Sequence, residues 1–221
     1  MENNLKREVI HGDALPWLEA NPAIAGVSIL TSLPDFSEFS HLILSEWKDW
    51  FSRAVKKTLL ALPEDGVAIF YQTDIKVEGQ WIDKSYLCQK AAEEAGYALL
   101  WHKVICRVPP GFITFGRPAY SHLVCFSRGI RASLESSTAD VEVGGGKKSW
   151  ARGIGVGATT KSLHFIQQQT KSHTILDPFC GQGMVLAVAN QLGFHAIGIE
   201  LSRKRAERAR LLRVAYSTRS E

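Results

Sequence analysis

Short apolar runs alternate with longer amphipathic stretches along the whole chain. The runs have the length of buried strands and lie near residues 7–11, 27–31, 66–71, 97–105, 120–127, 173–177 and 195–199. Helical periodicity fills the gaps, at about 14–20, 40–62, 80–95, 160–170, 183–192 and 202–215. This alternation predicts a mainly parallel α/β sheet with helices on both faces. The runs at 97–105 and 120–127 are predicted to form a hairpin that contributes one antiparallel strand.

One segment near the C-terminus combines a strand, a glycine turn, a helix and a second strand. Residues 174–176 are mainly apolar, DPFCGQG follows at 177–183, and the second strand ends on Glu200. Gly181 and Gly183 let the backbone turn tightly and approach a ligand where a Cβ would clash. An acid at the end of the second strand is placed to accept hydrogen bonds from ribose hydroxyls. The unit predicts a site for a nucleoside-bearing cofactor, with a purely structural βαβ unit as the alternative.

The motif DPFCGQG resembles the cofactor motif of the beta-class amino methyltransferases, which methylate exocyclic amino groups of bases in DNA or RNA. In that family the turn surrounds the methionine part of S-adenosyl-L-methionine, the following acid binds the ribose, and the next residue lies near the adenine. The resemblance therefore implies S-adenosyl-L-methionine as the cofactor. The cofactor-binding residues that it implies in this segment are Asp177, Pro178, Phe179, Cys180, Gly181, Gly183, Glu200 and Leu201.

A cofactor motif so near the C-terminus requires that the rest of the fold precede it, as in circularly permuted members of this family. The sequence EVIHGDA at 8–14 resembles the strand end that touches the cofactor adenine, which implies Asp13 and Ala14. The sequence TKSL at 160–163 stands where the family helps to hold the methionine carboxylate, which implies Thr160 and Lys161. The implied fold is a circularly permuted class I methyltransferase, a doubly wound sheet of seven strands, mostly parallel with one antiparallel strand.

The sequence TSLPD at 31–35 resembles the catalytic TSPPY loop of the same family. There the first loop residue and a proline carbonyl hold the target amino group, and an aromatic residue stacks on the flipped base. The resemblance implies Ser32 and Pro34 as catalytic residues. Asp35 replaces the aromatic and cannot stack, so it is predicted to be a substrate clamp, favouring guanine, or a general base. A helix N-cap is the alternative for Asp35, and Phe36 is the candidate for stacking.

Length and composition predict one domain over residues 1–221 with a sizeable core. No apolar run approaches the ~20 residues of a membrane helix, and the N-terminus has no secretory core. The four cysteines show no metal-binding spacing, so we predict reduced thiols, no metal site and a cytoplasmic protein. The Ser/Gly-rich segment 129–150 is predicted to be a short flexible insert and a candidate substrate-recognition loop.

Positive charge and aromatic residues indicate a nucleic acid partner. Residues 203–221 hold seven of the 26 Lys and Arg, and their helix would meet phosphates or remain solvated. The loop 107–120 mixes aromatic side chains with arginines, which suits unstacked bases, unless Phe112 and Phe115 are buried. A short insert argues against a long recognition sequence in DNA, so RNA is favoured over DNA as the acceptor. Similar enzymes are frequently dimers, so a homodimer remains open.

Other side chains are assigned by their position alone. Arg107, Lys147, Lys148 and Arg152 are placed to reach a substrate if their loops fold over the site. The aromatic residues of the helix after the catalytic loop, Trp47, Trp50 and Phe51, are predicted to be core.

Methylation of a base amino nitrogen is the predicted activity, and two other functions stay open. The first is a methyltransferase of a protein or small molecule, and the second is an assembly factor that binds the cofactor without catalysis. A dinucleotide dehydrogenase is disfavoured because the GxGxxG turn is absent. A cytosine-C5 enzyme is also disfavoured, because none of Cys88, Cys106 and Cys125 follows a proline in a strand-end loop.

Overall fold

A computed structural model of the chain describes residues 5–148 and 153–214. Its strands are β1 Arg7–His11, β2 Val27–Thr31, β3 Ala68–Gln72, β4 Ile75–Val77, β5 Gln80–Ile82, β6 Ala98–Cys106, β7 Tyr120–Ser127, β8 Val141–Val143, β9 Thr174–Asp177 and β10 His195–Glu200. Its α-helices are α1 Ala14–Ala20, α2 Leu44–Leu60, α3 Lys84–Glu94, α4 Val156–Gln169, α5 Met184–Gln191 and α6 Arg203–Leu211.

Eight of the strands form one sheet, in the order β1-β10-β9-β2-β3-β7-β6-β8. Along this order, each strand from β1 to β3 is parallel to its neighbour. Strand β7 is antiparallel to both β3 and β6. The late strand β9 therefore lies between β10 and the early strand β2. All seven predicted strands and the predicted antiparallel strand are present, which confirms the predicted fold class.

The helices cover the two faces of the sheet, and each face has its own core. One core includes Leu163 and Leu186, from α4 and α5, with Ala206 of α6. The other includes Leu18 of α1 and Trp47 of α2, with residues of α3. Strands β2, β3 and β9 are buried along their whole length, which explains why their sequences are continuous apolar runs rather than alternating ones. Among the described residues, no helix is long and apolar enough to cross a membrane.

The region predicted as a helix from 80 to 95 differs from the structure, because α3 begins only at Lys84. A separate hairpin precedes it, in which Val77 pairs with Gln80 across a two-residue turn. Both turn residues, Glu78 and Gly79, have positive φ angles, as a type I′ hairpin turn requires. The side chain of Asp83 then caps α3 by accepting the N–H of Tyr86 at 2.9 Å.

The segment predicted to be a flexible insert contains one strand that sequence patterning missed. β8, at Val141–Val143, pairs in parallel with the end of β6 and forms one edge of the sheet. Residues 149–150 of the predicted insert, and Arg152, lie outside the described residues. The domain boundaries and the recognition role of this segment stay predictions.

Gly183 has a structural role that a single substitution tests. Its φ angle is +85°, and a Cβ there would lie 2.7 Å from the Cα of Ala209 in α6. Gly193 has a similar φ of +90° but open space around it, so it isolates the conformational cost. We expect Gly193→Ala to lower the free energy of unfolding by roughly 1–2 kcal/mol, and Gly183→Ala to lower it by about 1–3 kcal/mol more. Equal losses in urea denaturation would contradict the close contact between the turn and α6.

Candidate active site

A cleft of about 440 Å³ opens at the carboxyl edge of the parallel strands. Residues at or just beyond the ends of β2, β9 and β10 form its walls, which is where doubly wound sheets bind ligands. Its volume suits a small organic ligand. The predicted site residues that line it are Asp13, Ala14, Ser32, Pro34, Asp35, Asp177, Pro178, Phe179, Cys180, Gly181, Glu200 and Leu201.

Three predicted cofactor residues, Thr160, Lys161 and Gly183, are not part of the lining. The physical reason for the first two is that α4 begins at Val156, earlier than predicted, so residues 160–161 lie past its first turn. Lys161 instead forms an ion pair with Glu142 of β8. Gly153 and Ile154, just before α4, occupy the pocket wall where the TKSL segment was expected.

The end of the pocket formed by the glycine turn carries a buried carboxyl group. Burial raises the pKa of Asp177 to about 7. Hydrogen bonds from the Thr31 hydroxyl at 2.7 Å and from the Phe179 N–H at 3.2 Å lower the pKa, but burial outweighs them. The nearby carboxylate of Glu200 raises it further. A buried acid that titrates near neutral pH and faces a cleft is suited to a cationic ligand, whose charge would hold it in the ionised form.

Glu200 lies beside this acid, at the end of β10. Burial also raises the pKa of Glu200, although the N–H of Ser202 donates to its Oε1 at 2.7 Å. Arg205 of α6 lies 3.9 Å from the same oxygen and 3.6 Å from Glu38. The carboxylate is held in place at the pocket wall, in the position that accepts ribose hydroxyls in sheets of this kind.

An aromatic cluster forms another wall of the pocket. The ring centroids of Phe39 and Trp50 are 4.5 Å apart, and those of Trp50 and Phe179 are 6.1 Å apart. Trp47 and Phe51 are fully buried, as predicted, but Trp50 is only partly buried and lines the cleft. Helical spacing did not separate the three, because Trp50 lies at the flank of the apolar face of α2.

Asp35 ends the loop at 32–35, whose part of the pocket we call the acceptor end, and it is paired with two cations. Its carboxylate accepts from the Lys84 ammonium at 2.6 Å on one oxygen and from the Arg117 guanidinium on the other. Burial alone would raise the pKa of Asp35, but the two cations outweigh burial and lower the pKa below its ordinary value. Asp35 is therefore ionised and engaged, which argues against the predicted general base and against a free clamp for guanine.

The alternative roles considered for this loop also have definite outcomes. Asp35 does occupy the N-cap position of a short 3₁₀ turn at Phe36–Glu38, while its carboxylate makes the two ion pairs. Phe36 packs against Trp47, with ring centroids 6.0 Å apart, and is not part of the pocket lining. Phe36 is therefore not placed to stack on a base in the pocket.

Lys84 is held by a polar network behind the acceptor end of the pocket. Its backbone N–H donates to Asp74 at 2.8 Å, and His122 contacts the other oxygen of Asp74 at 3.0 Å. Asp74, Asp83 and His122 also bring potential metal-ligand atoms within 4.8 Å of one another, although no metal site was predicted. Hydrogen bonds already engage these atoms, including a contact of 2.8 Å between His122 and His102, so the group is explained as a structural network.

Two further cations join Arg117 at the acceptor end. Arg107, Arg117 and Lys148 line the pocket, and Lys148 lies 5.8 Å from the centre of the Tyr71 ring. Burial, followed by repulsion from the two arginines, lowers the pKa of Lys148. Arg107 and Lys148 thus occupy the positions predicted for substrate contacts, and their concentrated charge suits an anionic substrate.

Solved structures with the same architecture cover nearly the whole chain. A proposed DNA modification methylase from Thermus thermophilus, in complex with S-adenosyl-L-methionine, has 18% sequence identity and a TM-score of 0.71, over 92% of this chain and 91% of that one. The cytosine-N4-specific PvuII DNA methyltransferase has 16% identity and a TM-score of 0.71, over 96% and 88%. The M1.HpyAVI complex with S-adenosyl-L-methionine has 13% identity and a TM-score of 0.62, over 93% and 98%.

The sheet order and the pocket at its carboxyl edge define a class I methyltransferase fold. Residues 163–211, which include the glycine turn and Glu200, match the N6/N4 methyltransferase family model, described as DNA methylase. Over these residues the match agrees with the predicted amino methyltransferase resemblance, and the solved structures confirm the predicted fold. No curated protein sequence matches the chain.

Proposed function

We propose that this protein transfers a methyl group from S-adenosyl-L-methionine to an exocyclic amino nitrogen of a base in DNA. The observation that carries the proposal is the hydrogen bond of 2.7 Å between Thr31 and Asp177. Thr31 precedes the acceptor loop at 32–35, and Asp177 begins the glycine turn. This contact between adjacent strands β2 and β9 holds the two motifs against one pocket.

The charges of the pocket fit the cofactor at one end and the acceptor at the other. Asp177 and Glu200 offer two carboxyl groups, which suit the cationic methionine part and the ribose of S-adenosyl-L-methionine. Arg107, Arg117 and Lys148 surround the acceptor end, where the phosphates flanking a target base would lie.

The acceptor loop would prepare the target nitrogen for transfer. When bound, the cofactor supplies an electrophilic methyl group on sulfur. Ser32 and the carbonyl of Pro34 line the pocket and would accept hydrogen bonds from the amino group, so that its lone pair leaves conjugation with the ring. Holding the nitrogen in line with the methyl carbon would provide much of the rate. Asp35 and its two cations would fix the loop rather than exchange a proton.

DNA is proposed ahead of RNA, which reverses the preference predicted from the sequence. Two of the structural relatives named above are DNA methylases by their descriptions, and the family model is described in the same way. The main argument for RNA was the short insert at 129–150, and no contact in its described part favours RNA over DNA. A homodimer likewise has no supporting observation and stays a prediction.

A methyl-transfer assay tests the proposal. The protein is incubated with labelled S-adenosyl-L-methionine and, in parallel, with unmethylated plasmid DNA, total RNA or a protein extract. We expect label in DNA, and we expect Ser32→Ala to reduce transfer by about 10²-fold while Ser37→Ala, in an exposed position of the next turn, retains it. Label confined to RNA or protein would contradict the proposed acceptor.

A further inference from the structure

The connection between β6 and β7 carries an apolar tip that the proposed chemistry does not use. Phe112, Ile113 and Phe115 are 64%, 81% and 88% exposed. Large apolar side chains grouped this way on a surface usually mark a site of interaction. The alternative that the two phenylalanines are buried in the core is therefore wrong.

This connection is built as a closed protrusion rather than a loose loop. At its stem, the N–H groups of Arg107 and Val108 donate to the carbonyl of Ala119 at 2.6 and 3.3 Å. At its tip, the N–H of Phe112 donates to the carbonyl of Pro109 at 3.3 Å, and the intervening Gly111 has a φ of +91°. Proline followed by glycine in this geometry is typical of a type II turn, which orders residues 109–112 and presents Phe112 at the tip.

The protrusion starts and ends at the acceptor end of the pocket. Arg107 at its start and Arg117 near its end both line the pocket, and Arg117 is bound to Asp35 of the acceptor loop. Phe115 is two residues from Arg117, so their Cα atoms are at most about 7 Å apart. The apolar tip is thus tied to the place where a target base would enter, with cations beside it.

We propose that this tip, formed by Phe112, Ile113 and Phe115, is a wedge that enters the base stack of duplex DNA next to the extruded target base. The inference rests on the proposed function. Apolar side chains inserted between base steps unstack them, and cations beside the wedge bind the adjacent phosphates. A base in a duplex must leave the stack to reach the pocket, and a wedge in the vacated space opposes its return.

The ion pair between Asp35 and Arg117 gives the acceptor-loop aspartate a role in this device. An aromatic residue at position 35 would stack on the base but would not bind the protrusion. The aspartate instead joins the protrusion to the acceptor loop through Arg117. The loop that would hold the base in the pocket is thereby connected to the wedge that would keep the base out of the duplex.

Paired and mispaired targets distinguish the wedge from a general structural role. The methylated site is first mapped in unmethylated plasmid DNA. A short duplex with that site is then made with the target base either correctly paired or opposite a mismatched base. Because a mispaired base leaves the stack at lower cost, the wedge is needed less on the mispaired duplex.

The variant to compare is Phe112→Ala/Phe115→Ala, with Leu60→Ala as a control. Leu60 is 52% exposed at the C-terminal end of α2, which leads into the start of β3. It therefore lies toward the amino edge of the parallel strands, whereas the pocket lies at their carboxyl edge. We expect the double variant to lose about tenfold or more of the wild-type rate on the paired duplex and to recover most of it on the mispaired one. Its affinity for S-adenosyl-L-methionine, measured by calorimetry, should be unchanged, and Phe115→Leu should be close to wild type.

Two results would overturn the wedge alone. One is full activity of the double variant on the paired duplex, and the other is an equal loss on both duplexes. Absence of methyl transfer to any DNA by the wild-type protein would instead contradict the proposed function, and the wedge with it.

Discussion

Replacement of Lys84 by methionine is expected to lower the free energy of unfolding by about 3–5 kcal/mol, because it leaves the carboxylate of Asp35 buried beside an apolar side chain. Lys84 is only 1% exposed and Asp35 only 7%, so water cannot replace the lost partner. Arg117 remains as a second partner but is about one-third exposed, so its compensation is partial. Urea denaturation followed by circular dichroism measures the effect.

A second substitution shows whether the loss comes from the unpaired charge. In Lys84→Met/Asp35→Leu, both members of the ion pair are replaced by apolar groups, and we expect most of the lost stability to return. Methyl transfer should stay low in this double variant, because the acceptor loop would no longer bind Arg117. A loss below about 1 kcal/mol in the Lys84→Met protein would contradict the buried pair.

Substitution of Asp177 by asparagine is expected to weaken S-adenosyl-L-methionine binding by about ten- to hundred-fold at pH 8. The amide keeps the shape of the side chain and still accepts the Thr31 hydroxyl, so the fold should be retained. In the wild-type protein the pKa of Asp177 is about 7, so only above that pH is the group mainly ionised without ligand. Affinity should therefore rise with pH up to about 7 and become level above it, whereas the asparagine variant should show no such rise.

The same raised pKa fixes the sign of a stability effect. An aspartate in the unfolded chain titrates near its ordinary value of 3.8, so the neutral folded form contributes stability below that pH. This contribution is lost as the pH rises to about 7. The Asp177→Asn protein should lack this decline and, without ligand at pH 8, be more stable than the wild type by a few kcal/mol. Identical pH profiles of binding and unfolding for the two proteins would contradict the assignment of a titrating Asp177.

Local patterns predicted the sheet well because its central strands are buried on both faces and read as continuous apolar runs. The glycine turn and Glu200 were also predictable from local sequence, because the first strand, the turn and the second strand lie within one stretch of chain. The hairpin before α3 was missed because it is stabilised by positive φ angles at Glu78 and Gly79, and the first of these is unusual for a glutamate.

The acceptor end could not be predicted, because its contacts join distant parts of the chain. Lys84 is 49 positions from Asp35, and Arg117 is 82 positions from it. A lysine in the first turn of a helix reads as solvated, and only the fold buries it against the acceptor loop. The start of α4 also depended on a contact outside the helix, since the N–H of Val156 donates to the carbonyl of Lys147.

Mass spectrometry of nucleosides tests the central claim most directly. Unmethylated plasmid DNA would be treated with the protein and S-adenosyl-L-methionine bearing a deuterated methyl group, and then digested to nucleosides. The account predicts deuterated methyl on an exocyclic nitrogen, as N4-methylcytosine or N6-methyladenine, and about 10²-fold less of it after treatment with the Ser32→Ala protein. Deuterated methyl on a ring carbon, or no labelled nucleoside from DNA while RNA or protein is labelled, would contradict it.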